Sequence, residues 1–362
     1  MVGQARARLR QYRPGRPDGP RPREPRPGPA ERRCEGMTTG AKSACVRVLT
    51  CRTRREREGR ARLVAGGTGG AAGTAAGPRF GVRSMSARLR RVLLRRPAVT
   101  GDFAAADWRA PDPGLLARQH EAFGQLLTAL GCEVEVAPAA DGMVDATYVR
   151  DPGLVTGAGA VLFQMAKPAR VAEPALLGAA LGAAGVPVVA RLTGAARADG
   201  GDFIWLDERT MIGGRSYRTN AEGLRQLAQI LAAEGTGLEP VDLPHDRGPG
   251  HVLHLMSLIS PVADDLAVVY PPLAPVALMQ TLAERGVRVV PVDADEYQTM
   301  GCNVLAVEPR RVLMVNGNPR TRAALEAAGC QVHGYDGSEI SLKGDGGPTC
   351  LTAPIWRSAA RR

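Results

Sequence analysis

Near its C-terminus the chain reads Lys343-Gly344-Asp345-Gly346-Gly347-Pro348-Thr349-Cys350-Leu351-Thr352. Glycines in a bend tolerate positive φ and let backbone come close to a bound ligand, because they carry no Cβ. A thiol at the end of such a bend is exposed enough to react, and nearby backbone N–H groups would lower its pKa from about 8.5. The competing reading makes Cys350 one more small apolar residue at a strand start, since free cysteine is usually buried and inert. Four further segments carry groups able to do chemistry. Asp145-Ala146-Thr147-Tyr148-Val149-Arg150-Asp151-Pro152 holds two carboxylates whose even spacing keeps them on one face of an extended stretch. Lys167-Pro168-Ala169-Arg170 holds two cations, and Asp199-Gly200-Gly201-Asp202 faces Arg215-Ser216-Tyr217-Arg218-Thr219-Asn220 across one hairpin. His251-Val252-Leu253-His254-Leu255-Met256-Ser257 supplies two imidazoles. Each segment has an ordinary reading: an Asp caps a helix, Asp-Gly-Gly is a turn, Arg218 faces water, a lone His is structural. Together they offer a nucleophile, a proton carrier, a cation binder and an anion binder. Asp151 and Asp199 would hold a guanidinium, while Arg170 and Arg218 would grip an α-carboxylate through charge-assisted bonds. That combination describes an arginine-like amino acid.

The elements that must position these groups repeat about every 50 residues, a spacing that suggests internal repeats. Strand pairs are expected at Tyr148–Val155 with Ala160–Met165, Asp202–Leu206 with Thr210–Gly213, Leu255–Ser260 with Leu266–Tyr270, and Asn303–Val307 with Val312–Val315. A helix follows each, at Ala175–Ala184, Ala221–Glu234, Val276–Arg285 and Pro319–Ala328. Leu224, Leu227, Ala228 and Leu231 show the one-sided helical period. Gly185, Gly235, Gly286 and Gly329 close these helices, and a short strand comes next. A fifth unit exists only if the ends of the body join: Gly347–Trp356 pairs with Leu89–Arg95, followed by the helix Leu115–Leu130 and the strand Cys132–Val136. The fold expected is a five-fold pseudo-symmetric α/β propeller, closed as a ring across its own ends, with a ligand pocket where the inner strand ends converge.

The 362 residues carry a net charge of +11, unevenly spread. Residues 1–84 hold 20 of the 47 Lys+Arg and 6 of the 36 Asp+Glu, so the body from Met85 onward has 27 basic and 30 acidic residues. A mildly acidic body argues against a nucleic-acid partner. Residues 1–84 are rich in Arg, Gly, Pro and Ala and are expected to form a disordered extension. An RNA-binding tail, a transit peptide and upstream sequence read from too early a start are the three readings of it. The scarcity of Lys beside Arg favours the last, with Met85 as the working start and 85–362 as the catalytic domain. The 7 cysteines are odd in number and form no Cys-x-x-Cys pair, which disfavours disulfides and structural zinc. A reducing, cytoplasmic setting follows. No apolar run reaches membrane-spanning length.

The segments YVRDPGLV, DGGDFIWL with SYRTNAEG, HLMS and KGDGGPTCLT resemble, in order, those of the amidino-group-modifying superfamily. These penteins comprise arginine deiminases, amidinotransferases and dimethylarginine dimethylaminohydrolases (dimethylargininases). The resemblance spans nearly all of the body and is nearest to the last group. It implies Cys350 as nucleophile, His254 as general acid and base, and Asp199 as the acid that holds the guanidinium and helps place water. It further implies Asp151 as the second guanidinium partner, Asp145 with backbone near Gly344 for the α-amino group, and Arg170 and Arg218 for the α-carboxylate. His251 lies outside the matched motif. Met256 stands where deiminases carry an Asp, Ser257 favours the dimethylargininase type, and Asp199 replaces the Glu of many relatives. The implied reaction is hydrolysis of Nω-methylated L-arginine to L-citrulline and methylamine or dimethylamine, through a thiouronium on sulfur, with no cofactor or metal and a homodimer left open. A deiminase or amidinotransferase on another guanidino compound, and a non-catalytic binder of arginine derivatives, are the alternatives.

Overall fold

The protein is described here by a computed structural model covering residues 79–358, so the disorder expected for residues 1–78 lies outside the described residues. In chain order the first unit contains β1 (Leu89–Arg95), α1 (Pro113–Ala129) and β2 (Glu133–Ala137). The second has β3 (Gly153–Val155), β4 (Ala160–Leu162), α2 (Glu173–Ala183) and β5 (Val188–Arg191). The third has β6 (Phe203–Asp207), β7 (Thr210–Arg215), α3 (Ala221–Ala232) and β8 (Gly237–Asp242). In the fourth, a single turn α4 (Leu255–Leu258) leads into β9 (Ile259–Ala263), β10 (Leu266–Val269), α5 (Val276–Glu284) and β11 (Arg288–Pro291). The fifth opens with α6 (Ala294–Tyr297) and continues through β12 (Leu305–Glu308), β13 (Arg311–Val315), α7 (Pro319–Ala327) and β14 (Gln331–Tyr335). The last strand, β15 (Ala353–Arg357), returns to the first unit.

These strands form five three-stranded sheets of one design: β15-β1-β2, β3-β4-β5, β6-β7-β8, β9-β10-β11 and β12-β13-β14. In each, the middle strand runs antiparallel to the first and parallel to the third. A parallel pair cannot be joined by a tight turn and needs a crossover; α1, α2, α3, α5 and α7 supply it. In α3 the expected apolar stripe is realised, with Leu224, Leu227 and Leu231 buried and the Asn220 side chain capping the Gly223 N–H at 2.8 Å. Gly235, at φ 73°, ends that helix in a conformation costly for a residue with a Cβ.

The ring closes as expected across the two ends of the body, with Leu89 opposite Arg357 and Leu93 opposite Ala353 in the β1–β15 pair. Neighbouring sheets meet through β15 and β3, α4 and β6, β12 and β9, and β1 and β12. The Phe163 and Phe203 rings, 5.5 Å apart, join the second and third units. The apolar core is three clusters between sheets and helices, the largest running from Val82 to Ile355.

Among the expected strands that come out shorter, three give way at their starts to turns that carry site residues. The stretch from Tyr148 becomes a strand only at Gly153, after a 3-10 turn at Val144–Thr147. Leu255–Leu258 is helical, and its strand starts at Ile259. The expected strand from Gly347 begins only at Ala353. The boundary at residue 84 also moves. Gly81 bridges to Trp356, donating to Ile355 O at 2.8 Å and accepting from Arg357 N at 3.0 Å. Val82 is 5% exposed within the core, and Arg83 pairs with Glu234 at 3.3 Å. The ordered body therefore includes residues 79–84. A chain begun at Met85 is expected to be less stable than one begun at Arg79 by about 2–4 kcal/mol, from one buried Val and two backbone bonds. Thermal unfolding checks this; equal midpoints would show that the Gly81 bridge contributes nothing.

Candidate functional site

Cys350 is half-buried on the turn that precedes β15. Its N–H donates to Gly347 O at 3.0 Å, and its carbonyl accepts from Arg150 N at 3.2 Å. Asn303 Nδ2 approaches its sulfur to 3.6 Å, while Asn303 Oδ1 accepts from both the N–H and the hydroxyl of Thr349, at 3.1 and 2.9 Å. The glycines of this bend also make room for protein side chains. A Cβ on Gly344 would overlap Trp108 and Tyr148, one on Gly346 would overlap the Tyr148 ring, and one on Gly347 would overlap Asn303. They let protein side chains close on the bend, with the Trp108 and Tyr148 rings stacked 5.3 Å apart.

His254 sits at the start of α4, its N–H donating to Ser257 Oγ at 3.2 Å. Leu255 N–H, next in the turn, donates to Asp202 Oδ1 at 3.0 Å. The imidazole Nε2 lies 3.3 Å from Asp199 Oδ2, and Nδ1 lies 3.9 Å from Asp151 Oδ1. Gly201 must be glycine here, because a Cβ would come within 2.5 Å of His254 Nδ1. The Asp199–Asp202 turn is held by the Ser216–Asn220 turn: Asp199 N donates to Thr219 Oγ1 at 3.1 Å and Ser216 Oγ donates to Asp202 Oδ2 at 2.6 Å.

Cys350, His254, Asp145, Asp151, Arg170, Arg218 and Gly344 all line one cavity of about 670 Å³, so the fold brings most of the expected site together. His251, given no role, is at its rim. Asp199 is the exception. It is fully buried against His254 and is not among the residues that line the cavity. Among the described residues its Oδ1 has no hydrogen-bond partner, while its Oδ2 contacts His254. Asp145 and Asp151 do not share a face of one strand: Asp145 lies in the 3-10 turn and Asp151 in the bend before β3. Asp145 accepts from Trp108 Nε1 and from Lys167 Nζ, each at 2.8 Å. Asp151 accepts from Arg170 at 2.7 Å and from Gly201 N at 3.2 Å. Arg170 gives its remaining bonds to Glu173, at 2.8–3.1 Å, and to Tyr148 O at 3.2 Å. A guanidinium so engaged is a poor carboxylate clamp. Arg218, half-buried on the cavity wall, is the better placed one.

Asn303, Trp108 and Glu173 were not singled out from the sequence, and Lys167 and Asp202 were noted only within their segments. Asn303, Trp108, Lys167 and Asp202 act through partners distant in the chain, so no local pattern marks them, whereas Glu173 pairs with Arg170 only three residues away. A larger groove of about 930 Å³ lies between α3, β8 and residues 272–277, but Arg215, Arg225 and Asp242 are its ionisable groups and it holds no nucleophile. Among the described residues no cluster of His, Cys, Asp and Glu could hold a metal ion, and no helix is long and apolar enough to cross a membrane.

The electrostatics correct one expectation. Burial, followed by the Asp151 charge, pushes the Cys350 thiol up to about 11, and the bonds from Gly347, Thr349 and Asn303 only partly offset this. Burial opposes charge on His254, but Asp151, Asp202 and Asp199 outweigh it and raise the imidazole to about 9. Burial lifts Asp202 to about 6. Asp151 is likewise buried, yet Arg170 and His254 hold its carboxyl below the usual value. At neutral pH the resting site therefore holds a neutral thiol and an imidazolium. A folded-state pKa raised from 6.5 to about 9 gives stability that is complete below pH 6.5 and disappears as pH rises through 9. His254→Gln is expected to remove about 3 kcal/mol of the stability lost between pH 6.5 and 9.5. Urea unfolding of both proteins at the two pH values tests this, and an unchanged pH dependence in the variant would show that His254 is not charged at rest.

A family model described as N,N dimethylarginine dimethylhydrolase, eukaryotic, matches residues 115–357. The uncharacterized protein YkgA of Bacillus subtilis is 29% identical over 239 residues, which cover 66% of this chain and 79% of that protein. The N(G),N(G)-dimethylarginine dimethylaminohydrolase of Pseudomonas aeruginosa is 25% identical over 263 residues, covering 72% of this chain and 97% of that one. An arginine deiminase of Listeria welshimeri is 26% identical over 253 residues, but this chain spans only 61% of that protein's length. Among solved structures, a mutant of the Pseudomonas aeruginosa enzyme complexed with citrulline superposes with a TM-score of 0.63 at 22% identity, over 74% of this chain and all of that one. A cyanobacterial arginine dihydrolase superposes with a TM-score of 0.63 at 20% identity, over 75% of this chain and 39% of that one. The chain, a ring of five like sheets whose cavity holds Cys350 and His254, belongs to the N,N dimethylarginine dimethylhydrolase family.

Proposed function

We propose that the protein hydrolyses Nω-methylated L-arginine to L-citrulline and methylamine or dimethylamine. The observation that carries this reading is that Cys350 and His254 open on one cavity whose walls also present Asp145, Asp151 and Arg218. Those groups match the charges of an amino acid ending in a guanidinium. A cationic guanidinium set against the sulfur favours the thiolate and so counters the burial and the Asp151 charge that raise the thiol. The thiolate then attacks the guanidinium carbon. The imidazolium of His254 gives its proton to the departing methylated nitrogen, leaving a thiouronium on Cys350. Neutral His254 next takes a proton from water, the resulting hydroxide adds to the same carbon, and the C–S bond breaks to return the thiolate as the added oxygen releases its remaining proton to solvent and becomes the citrulline carbonyl. One imidazole acting first as acid and then as base needs a pKa within reach of the working pH.

Asp151 faces the cavity, beside His254, and is the carboxylate for the guanidinium. Asp199 acts through His254, holding the ring and raising its pKa. Asn303, 3.6 Å from the sulfur, positions the nucleophile. Asp145 receives the α-ammonium and Arg218 the α-carboxylate. Arg170 fixes Asp151. A second reading, deimination of arginine itself, draws support from the arginine deiminase relative.

Citrulline release should be measured with Nω,Nω-dimethylarginine, Nω-methylarginine and arginine in parallel. Release from the methylated substrates is expected, with a loss of at least about 10³-fold in Cys350→Ser. Release from arginine alone would replace this reading with the deiminase, and full activity of the Ser variant would remove Cys350 from the chemistry.

A further inference from the structure

The short turn Pro168–Arg170 delivers two cations onto two cavity carboxylates. Arg170 reaches Asp151 at 2.7 Å, and Lys167, just before the turn, reaches Asp145 at 2.8 Å. The two pairs differ in how firmly they are tied. Arg170 is 5% exposed and locked by Glu173 as well. The Lys167 ammonium, on a flexible four-carbon stem, otherwise donates to Ala106 O at 2.8 Å and lies 3.8 Å from Asp107. Asp145 is itself only 8% exposed, and its other oxygen is taken by the Trp108 indole N–H at 2.8 Å. Lys167, Asp145, Trp108 and Ala106 all line the cavity.

We propose that Lys167 is a specificity-determining residue: an internal ammonium that competes with the substrate α-ammonium for Asp145. The inference rests on the reading of Asp145 as the α-ammonium acceptor. A substrate amino group that approaches Asp145 meets a like charge already bonded to it, and like-charge juxtaposition in a partly desolvated site opposes binding. Lys167 must swing aside or share the carboxylate, and its bond to Ala106 O couples that movement to the Ala106–Arg109 stretch that lines the cavity. A ligand without an α-amino group meets no such competitor. With Lys167 in place, the site discriminates only weakly between amino acids and their des-amino analogues. Without it, Asp145 is an unpaired buried carboxylate that calls for a cation.

The test is equilibrium binding to the full chain carrying Cys350→Ser, which separates recognition from turnover. Nω-methyl-L-arginine and its des-amino analogue, the 5-(methylguanidino)pentanoate, are each titrated against Lys167, Lys167→Met and Lys167→Gln proteins. Lys167→Gln keeps a donor for Ala106 O without the charge, and it remains informative if the Met variant fails to fold. The amino acid is expected to bind the neutral variants more tightly by on the order of 10-fold, and the analogue equally or more weakly, so the ratio of the two shifts by at least that factor. An unchanged ratio would overturn the proposal and make Lys167 a support for the loop. Equal weakening of both ligands would also overturn it, showing that Lys167 grips the carboxylate they share. A shifted ratio in a protein whose Cys350 form releases no citrulline would leave this inference standing while the proposed reaction falls.

Discussion

The pairing of β1 with β15 is the constraint on which the site depends. It joins strands more than 250 residues apart in the chain and completes a sheet that neither end could form alone. The turn carrying Cys350 runs directly into β15, so closing the ring sets the thiol against the bend carrying Arg150 and Asp151. The same pairing is extended by Gly81, which adds a bridge alongside Trp356. The position of the Cys350 thiol is thus a consequence of topology, and the pocket is the place where five like units leave their inner turns facing one another.

Within that frame the site is governed by buried charge. Three carboxylates, Asp151, Asp199 and Asp202, crowd one imidazole, and the protein compensates with two cations, His254 and Arg170. An isolated buried carboxylate is expensive, whereas one that is paired and hydrogen-bonded is tolerated. The cost is met by a network: Gly201 N–H and Arg170 on Asp151, Leu255 N–H and Ser216 on Asp202. The arrangement keeps the thiol protonated and the imidazole charged at rest, so the cavity awaits a cation before the sulfur becomes a nucleophile. In the proposed reaction a bound guanidinium would be both the group attacked and the charge that prepares the attack.

The ring, its five repeats and its closure across the ends of the body were legible because each unit carries the same apolar stretches at the same spacing. The helix stripe of Leu224, Leu227 and Leu231 is a local pattern, and local patterns survive in sequence. Cys350, His254, Asp151 and Arg218 were legible from their segments and are brought to one cavity. The errors cluster where function bends the chain. The segments from Tyr148, Leu255 and Gly347 run into apolar strands and look continuous with them, yet Asp202 Oδ1 captures the Leu255 N–H and Asn303 Oδ1 the Thr349 N–H that a strand would have paired. The raised thiol was read with the wrong sign, since the Gly-rich bend is visible in sequence and the burial and the Asp151 charge are not. That Asp199 is buried against His254 and not on the cavity wall was not visible from its spacing. Residues 79–84 gave no periodic signal because one glycine bridge and one valine are too little to make a pattern.

The most direct measurement of the central claim is the rate of alkylation of Cys350 by iodoacetamide in the ligand-free protein as a function of pH. A neutral resting thiol predicts slow labelling at pH 7 and a rate that climbs through pH 9 and above, toward the value of about 11 set by burial and the Asp151 charge. Rapid labelling with a midpoint at or below pH 7 would show a thiolate already formed against His254, and would contradict the account in which the substrate cation creates the nucleophile.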